Sequence, residues 1–464
     1  MDNRPLIRSL LTHDNPWNTT DEVVQWIERR IREVKVQIDR VPFKDLKGWQ
    51  FDEVTGNLCH VSGRFFSIVG IDVYKNEGRP IRWQQAIINQ PEVGYLGIIC
   101  REVDGVLYFL LQAKIEPGNV NCVQLSPTLQ ATRSNYTCVH GGKKPAYLDY
   151  FRDVKPDHIV LDQLQSEQGA RFFRKRNRNI IIRVDDDIET GPDFRWLTLG
   201  QIKYLMGRDN TVNMDTRTVL SGLRYGDFGS LADEAALSAF GRELVKSEQA
   251  RDGLNSMDGV LHRMSALKSQ YELIVDKIPL KDVKDWTITE DEIVRHDRRF
   301  FRVIGVNVTI SNREVAQWCQ PIVQPMQEGL CVLFAKKIDG VLHFLLQAKV
   351  ECGNYDVVEF APTIQCLTGD FRRVDPSLRP HFVTEFDAGQ IPGRTVFDTR
   401  QSEEGGRFYH EQNRNVLFLV DEHADLHEPE HFIWLTLGQI KEFLRYNNYL
   451  NIQIRSLVSA FAYV

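Results

Sequence analysis

The 464-residue chain carries one ordered series of motifs twice, and this constrains its fold more than any local pattern. DGVLYFLLQAKIEPGN at 104–119 returns as DGVLHFLLQAKVECGN at 339–354, 235 residues on and with 13 of 16 positions identical. WLTLGQIK at 196–203 returns unchanged at 434–441. Around these anchors the order repeats: VPFKDLKGW and IPLKDVKDW, GRFFSIVGI and RRFFRVIGV, PTLQ and PTIQ, SEQGARFFRKRNRN and SEEGGRFYHEQNRN, VNMDTRTVLSGL and LNIQIRSLVSAF. Such a period is that of a domain, not of a solenoid. Two homologous units are expected at 40–224 and 277–464, preceded by an N-terminal helical segment at 1–39 and joined by a helical connector at 225–276.

Within each unit, strand patterns alternate with a few helical ones. GRFFSIVGIDV, GYLGIICREV, GVLYFLLQAKIE and RNIIIRVDDD are rich in branched and aromatic residues and punctuated by Gly, so they read as strands. TLGQIKYLMG reads as a helix capped by Thr198, with Thr436 as its counterpart, and SEQGARFFRKRN and SEEGGRFYHEQNRN also read as helices. The fold class expected is α+β, a tandem duplication of mixed-sheet units with bracing helices. In the N-terminal segment Thr19 or Thr20 can cap a helix whose Val23, Ile27 and Ile31 recur at helical spacing, and the connector holds two more amphipathic patterns. Their apolar stripes lie outside the repeated units and need cover, so a homodimer built on them is expected.

Composition narrows the partners. Lys plus Arg numbers 57 against 63 for Asp plus Glu, a net charge of -6, so no basic field is available to hold a nucleic acid. No stretch approaches the 18 apolar residues of a membrane span and no signal-peptide pattern opens the chain, which points to a cytoplasmic protein. The eight cysteines never fall at zinc-ligand spacing and read as reduced core thiols.

Candidate site residues come from three places. Strand alternation sets Leu110, Gln112, Lys114 and Glu116 on one face and Phe109, Leu111, Ala113 and Ile115 on the other, with Gln347, Lys349 and Glu351 repeating the polar row. That row is either a solvated face or a pocket wall. Laid out as a helix, Glu403, Arg407, His410 and Arg414 form one stripe, matched by Glu167, Arg171, Arg174 and Arg178; an Arg stripe suits pyrophosphate or a plain charge ladder. His410 faces Arg174 in the other copy, Glu404 faces Gln168, and Tyr409 faces Phe173, so the second copy holds more groups able to exchange a proton. The third place is the loop after PTLQ, with Tyr136 and His140 in the first unit only. Residues kept in both units, Arg64 and Arg299, Gln112 and Gln347, Lys114 and Lys349, Arg171 and Arg407, Asn177 and Asn413, are the expected ligand-binding set. Signatures of dinucleotide, P-loop, serine-hydrolase and zincin enzymes are missing.

The duplicated FLLQAKxExGN, PT[LI]Q, QSE[QE]G, NRN and WLTLGQIK pieces resemble the NDP-hexose 2,3-dehydratases of deoxysugar pathways over nearly the whole chain. The resemblance implies two Nudix-like units acting on dTDP-4-keto-6-deoxy-D-glucose, with loss of water to a dTDP-3,4-diketo-2,6-dideoxy sugar that passes to a 3-ketoreductase. LLQAKxExGNxxxVxxxPT is where a Nudix enzyme has its strand and turn, but the metal-binding helix survives only as an echo in Glu403, Glu404 and Gly406, so no metal and no cofactor are expected. The chemistry needs a base, an acid and a donor to an enolate oxygen, for which His410, Glu403, Glu404, Tyr409, Tyr136 and His140 are candidates. The second unit is expected to carry the chemistry, with His410 as acid or base. The competing reading is a catalytically silent nucleotide-sugar binding protein on a degenerate Nudix scaffold.

Overall fold

The computed structural model describes residues 3–132, 144–229, 237–310, 316–369 and 371–464. It is a mixed α+β structure in two repeated halves, each contributing one seven-stranded sheet and most of one five-stranded sheet. In the first seven-stranded sheet the path runs Ile159–Ser166, Arg176–Arg183, Gly94–Val103, Val106–Ile115 and Phe194–Leu197; the second half repeats it around Gly329–Ile338 and Val341–Lys349. Arg176–Arg183 lies parallel to Gly94–Val103, and Gln412–Val420 parallel to Gly329–Ile338, while the other pairings are antiparallel. The mixed sheet expected from the sequence is present twice.

The five-stranded sheets are built by exchange. Val36–Val41, which leads into the first half, pairs antiparallel with Phe301–Ile310 of the second, and Glu272–Ile278 pairs with Ser67–Asn76 of the first. The approach is close: a Cβ on Gly305 would stand 2.7 Å from the carbonyl oxygen of Val41, so only glycine fits beneath the exchanged strand.

The helices leading into each half perform matching tasks. Ser9 Oγ accepts the Leu199 N–H and Ser247 Oγ accepts the Leu437 N–H, both at 2.8 Å. Thr198 and Thr436 cap Leu199–Met206 and Leu437–Phe443 through capping boxes with Gln201 and Gln439, and their hydroxyls donate to Thr12 and Ala250 carbonyls. Arg4–Leu11 buries Ile7 and Leu10, Thr20–Glu33 buries Val23, Trp26 and Ile27, and Met257–Gln270 buries Val260, Met264 and Leu267. All of these join the chain's own main core, so the apolar stripes on which the homodimer was argued are covered within the chain.

Two further helices, Met214–Ser221 and Ile452–Ser459, meet where the halves join. Each sends a fully buried arginine across the junction. Arg217 donates to Val212 O at 3.1 Å, to Ser456 Oγ and to Ser402 O; Arg455 donates to Leu450 O at 2.6 Å, to Thr218 Oγ1 and to Ser166 O. Ser402 and Ser166 end the strands that precede the two SE-G-RF segments, so these arginines anchor the base of each segment.

Those segments are not helices. Gly393–Ser402 and Gln412–Val420 are strands, leaving only 403–411 as a tight turn, and 167–175 does the same in the first half. Gly405 and Gly406 disfavour helix, NRNVLFLV is taken by the sheet, and the turn backbone finds long-range partners instead. Gly118 N–H donates to Gly405 O and His410 N–H donates to Gly118 O, both at 2.7 Å, while Gly353 repeats this with Gly169 and Arg174. The expected stripe of Glu403, Arg407, His410 and Arg414 therefore does not exist: Arg414 sits on a strand with Asp398, and its counterpart Arg178 with Asp162.

Candidate active site

Because each turn leans onto the opposite sheet, residues of the second half complete a cavity of about 270 Å³ in the first. Its wall is the polar face of Val106–Ile115 and the residue after it, which presents Lys114 and Glu116, while Phe109, Leu111, Ala113 and Ile115 enter the core as alternation requires. Gln130 donates to Glu116 Oε1 at 2.8 Å, Lys114 Nζ lies 3.6 Å from the same oxygen, and Asn213 donates to Gln130 Oε1 at 3.3 Å. Asn213 is also the N-cap of Met214–Ser221, and this fixes Asp215, in the first turn of that helix, as a buried member of the lining. Lys175 and Asn177 enter from the neighbouring strand and its approach; Asn177 donates to Glu167 at 2.7 Å and accepts from Gly94 N–H at 3.2 Å.

The turn of the second half supplies Glu404, Gly406 and Arg407. Gln320 donates to the Gly406 carbonyl at 2.8 Å and is itself held by Trp318 Nε1 at 2.8 Å. Arg407 donates to Gln90 Oε1 at 3.3 Å and lies 4.3 Å over the Phe66 ring. A Cβ on Gly118 would come within 2.6 Å of the Gly405 carbonyl, so the junction tolerates no side chain there.

The electrostatics are those of a crowded buried site. Burial, reinforced by Glu116 and Glu167 against the pull of Arg407, pushes the Glu404 carboxyl up to about 7. Burial and then Glu404, Glu167 and Glu116 hold Asp215 well above the usual carboxylate range, outweighing the few tenths to about 1 kcal/mol by which a helix N-terminus favours its charge. Burial brings the Lys175 ammonium down to about 8, with Glu167 and Glu404 resisting. Groups able to gain or lose a proton near neutrality thus share one cavity.

The matching place in the second half keeps the framework, including Glu351 for Glu116, but replaces two of the acids by amides. Gln365 donates to Glu351 at 3.0 Å and Asn451 to Gln365 at 2.7 Å, as Gln130 and Asn213 do in the first. Asp215, however, is matched by Gln453 behind the same Asn cap, and Glu404 by Gln168, whose amide donates to Glu403. Lys175 is matched by Glu411, which stands 3.8 Å from Arg171.

Of the residues expected from sequence, Lys114, Asn177, Glu404 and Arg407 line the cavity. Glu403 is buried beside it, accepting from Gln168 and Asn413, with burial raising its carboxyl to about 8. His410 does not line it: the residue is exposed, its backbone is left-handed (φ 53°), and its ring stacks on Tyr409 at 4.2 Å. Arg174, its counterpart, has the same backbone (φ 48°), so the position is defined by its N–H contact with the opposite half and not by its side chain. Arg171 packs over Phe301 at 4.4 Å, Gln347 donates to Pro362 O at 2.8 Å, and Gln112, Lys349, Arg64 and Arg299 are not part of the lining, Arg64 being exposed. Tyr136 and His140 lie outside the described residues. Sequence reasoning missed Asp215, Lys175, Gln130, His60 and the aromatic residues of the cavity.

Comparison with known proteins agrees with this duplicated architecture. The NDP-hexose 2,3-dehydratase family profile matches residues 20–223 and again 257–461. A dTDP-4-dehydro-6-deoxy-alpha-D-glucopyranose 2,3-dehydratase of Saccharopolyspora spinosa is 43% identical over 458 residues, 98% of this chain and 94% of its own. A protein of the same name from Amycolatopsis orientalis is 42% identical over 459 residues, 97% of this chain and 92% of its own. Among solved structures, an Ap4A hydrolase of C. elegans aligns with 30% of this chain and 96% of its own at 16% identity and a TM-score of 0.20, too slight a likeness to carry an argument. With both halves matched and relatives aligned almost end to end, the chain belongs to the NDP-hexose 2,3-dehydratase family.

Proposed function

We propose that the chain is a sugar-nucleotide lyase that eliminates water across C2 and C3 of dTDP-4-keto-6-deoxy-D-glucose, in the cavity that the second half closes over the first. The observation that carries this is the pairing of Glu404 and Asp215 in that cavity, where the sister positions hold the amides Gln168 and Gln453. A binding protein has no need of the acids; an elimination does.

The 4-ketone acidifies the proton on C3. Glu404 takes it, leaving an enolate whose oxygen faces the Lys114 ammonium, and protonated Asp215 gives its proton to the departing C2 hydroxyl, which leaves as water. The enol so formed tautomerises: C2 takes the proton now on Glu404, the C3 hydroxyl gives its proton to Asp215, and both acids are restored. The step consumes no hydride and requires no Lewis acid, and the diketo product is a substrate for a reductase acting at C3. We also infer a cytoplasmic setting, in keeping with the free cysteines among the described residues, and descent of the halves from a Nudix-type unit, supported by the LLQAKxExGN remnant. No helix among the described residues is long and apolar enough to cross a membrane.

The test is to incubate EDTA-treated protein with the dTDP-4-keto sugar, a 3-ketoreductase and NADPH, which trap the unstable product. A reduced 2,6-dideoxy sugar nucleotide is expected. Binding of dTDP without turnover would favour the silent binding protein.

A further inference from the structure

From Arg407 outward, part of the cavity lining forms a chain of ring contacts. Glu404 shares the cavity with Asp215, Glu116, Lys114 and Arg407 and feels the charges of Arg407, Glu116 and Lys114. Arg407 lies over Phe66, and Phe66 packs against Trp49 with centroids 4.8 Å apart. Trp49 meets His60 at 5.4 Å, and His60 meets Phe65 at 4.8 Å, edge to face in both cases. The lining runs from acids through a guanidinium to aromatic rings. A sugar nucleotide has the same order: reacting sugar, diphosphate, nucleoside.

The aromatic end also changes character outward. Trp49 and Phe66 are buried and engaged, Trp49 donating its Nε1–H to the Cys319 carbonyl at 2.8 Å. His60 and Phe65 are only half-buried, and both line the cavity. Phe65 is held in a left-handed backbone (φ 73°), a conformation that residues with a side chain rarely adopt. In the second half Phe300 keeps this backbone (φ 67°), but the guanidinium groups of Arg295 and Arg299 each lie 5.2 Å from its ring centroid. Strand register sets Arg295 opposite Trp286 as His60 is opposite Trp49, so a cation stands where the first half has an imidazole.

We propose that Phe65 and His60 form the nucleobase subsite, stacking the thymine of the substrate at the mouth of the cavity while Arg407 holds the diphosphate and the sugar reaches the acids. This rests on the reading of the site as a dTDP-sugar lyase. It assigns the aromatic end to recognition alone, so its loss weakens binding and spares the chemical step.

Phe65→Gly provides the test, because glycine accepts the left-handed backbone and deletes the ring without adding strain. Calorimetry with dTDP and steady-state kinetics with the keto sugar are compared for wild type, Phe65→Gly and His60→Ala, with circular dichroism to establish folding. A rise in the dTDP Kd and in KM of roughly tenfold for Phe65→Gly is expected, the scale of a lost base-aromatic stack, with kcat within threefold and inhibition by inorganic pyrophosphate unchanged. Unchanged dTDP affinity in both folded variants, or equal weakening of pyrophosphate and dTDP, would overturn the subsite. Wild type failing to bind dTDP would instead overturn the lyase reading. Should Phe65→Gly fail to fold, His60→Ala decides alone by the same criteria.

Discussion

Replacing Glu404 by Gln puts into the first cavity the side chain that its sister position already carries as Gln168, so the change is nearly isosteric and its effects are chemical. Losing a general acid or base is expected to cost roughly 10²–10⁴ in kcat, a barrier increase of about 3–5 kcal/mol. The dTDP affinity should persist, since Arg407 and the aromatic end are untouched. The same substitution reads out in stability. The Glu404 carboxyl is raised from 4.5 to about 7, so the folded protein binds more protons than the unfolded chain across that window and loses stability as pH rises through it. The amide removes that loss, which is at most on the order of 3 kcal/mol by the linkage of one pK unit to 1.36 kcal/mol. Glu404→Gln should therefore melt higher than wild type at pH 8 and alike below about pH 4.5, while a rise of wild-type kcat with a midpoint near pH 7 disappears from the residual rate. The trapped-product assay and calorimetry from pH 4.5 to 8 provide both measurements. A variant keeping kcat within threefold of wild type would refute the role of Glu404, whatever its melting temperature.

Asp215→Asn should lower kcat by a similar factor with dTDP binding retained, while Gln453→Asn at the sister position leaves turnover within a few fold; equal damage from both would remove the asymmetry between the halves. His410→Asn should stay within threefold of wild type, because asparagine accepts the left-handed backbone and the imidazole lies outside the cavity; a hundredfold loss would restore the histidine as acid or base. Gly118→Ala should destabilise the protein by about 1–3 kcal/mol through the clash with the opposite turn and should reduce activity even where it remains folded, which thermal melting beside the trapped-product assay would show. An undisturbed Tm would contradict that contact.

What could be read from the sequence was whatever depends on neighbours along the chain. Alternation put Lys114 and Glu116 on the polar face, and Thr198 and Thr436 announced their helices, because a strand face and a cap are properties of four or five consecutive residues. The turn at 403–411 defeated the same method: a helical wheel assumes local hydrogen bonds, and His410 N–H finds its acceptor on Gly118 in the other half. The signal for Asp215 was nevertheless present. Its replacement by Gln453 is an acid exchanged for an amide, the same contrast that sets Glu404 against Gln168. Applied along the whole repeat, that contrast includes both acids, but also Asp72 against Asn307, Glu92 against Gln327 and Asp209 against Asn447, and it does not reveal that Glu404 and Asp215 meet in one cavity.

The exchanged strands, Val36–Val41 and Glu272–Ile278, bear on how such an asymmetry can exist. Were the halves separate identical chains, the exchange would make them an interlocked pair related by a twofold axis, and every substitution would strike both cavities at once. No change could then retire one site while sparing the other. Joining the halves in one chain keeps the interlocking and releases that constraint: each turn is encoded once, so Glu404 and Gln168 can part company although they occupy equivalent positions. It also makes the loop closure intramolecular, so the match between halves no longer depends on protein concentration. Dilution that would dissociate two such chains leaves this cavity whole.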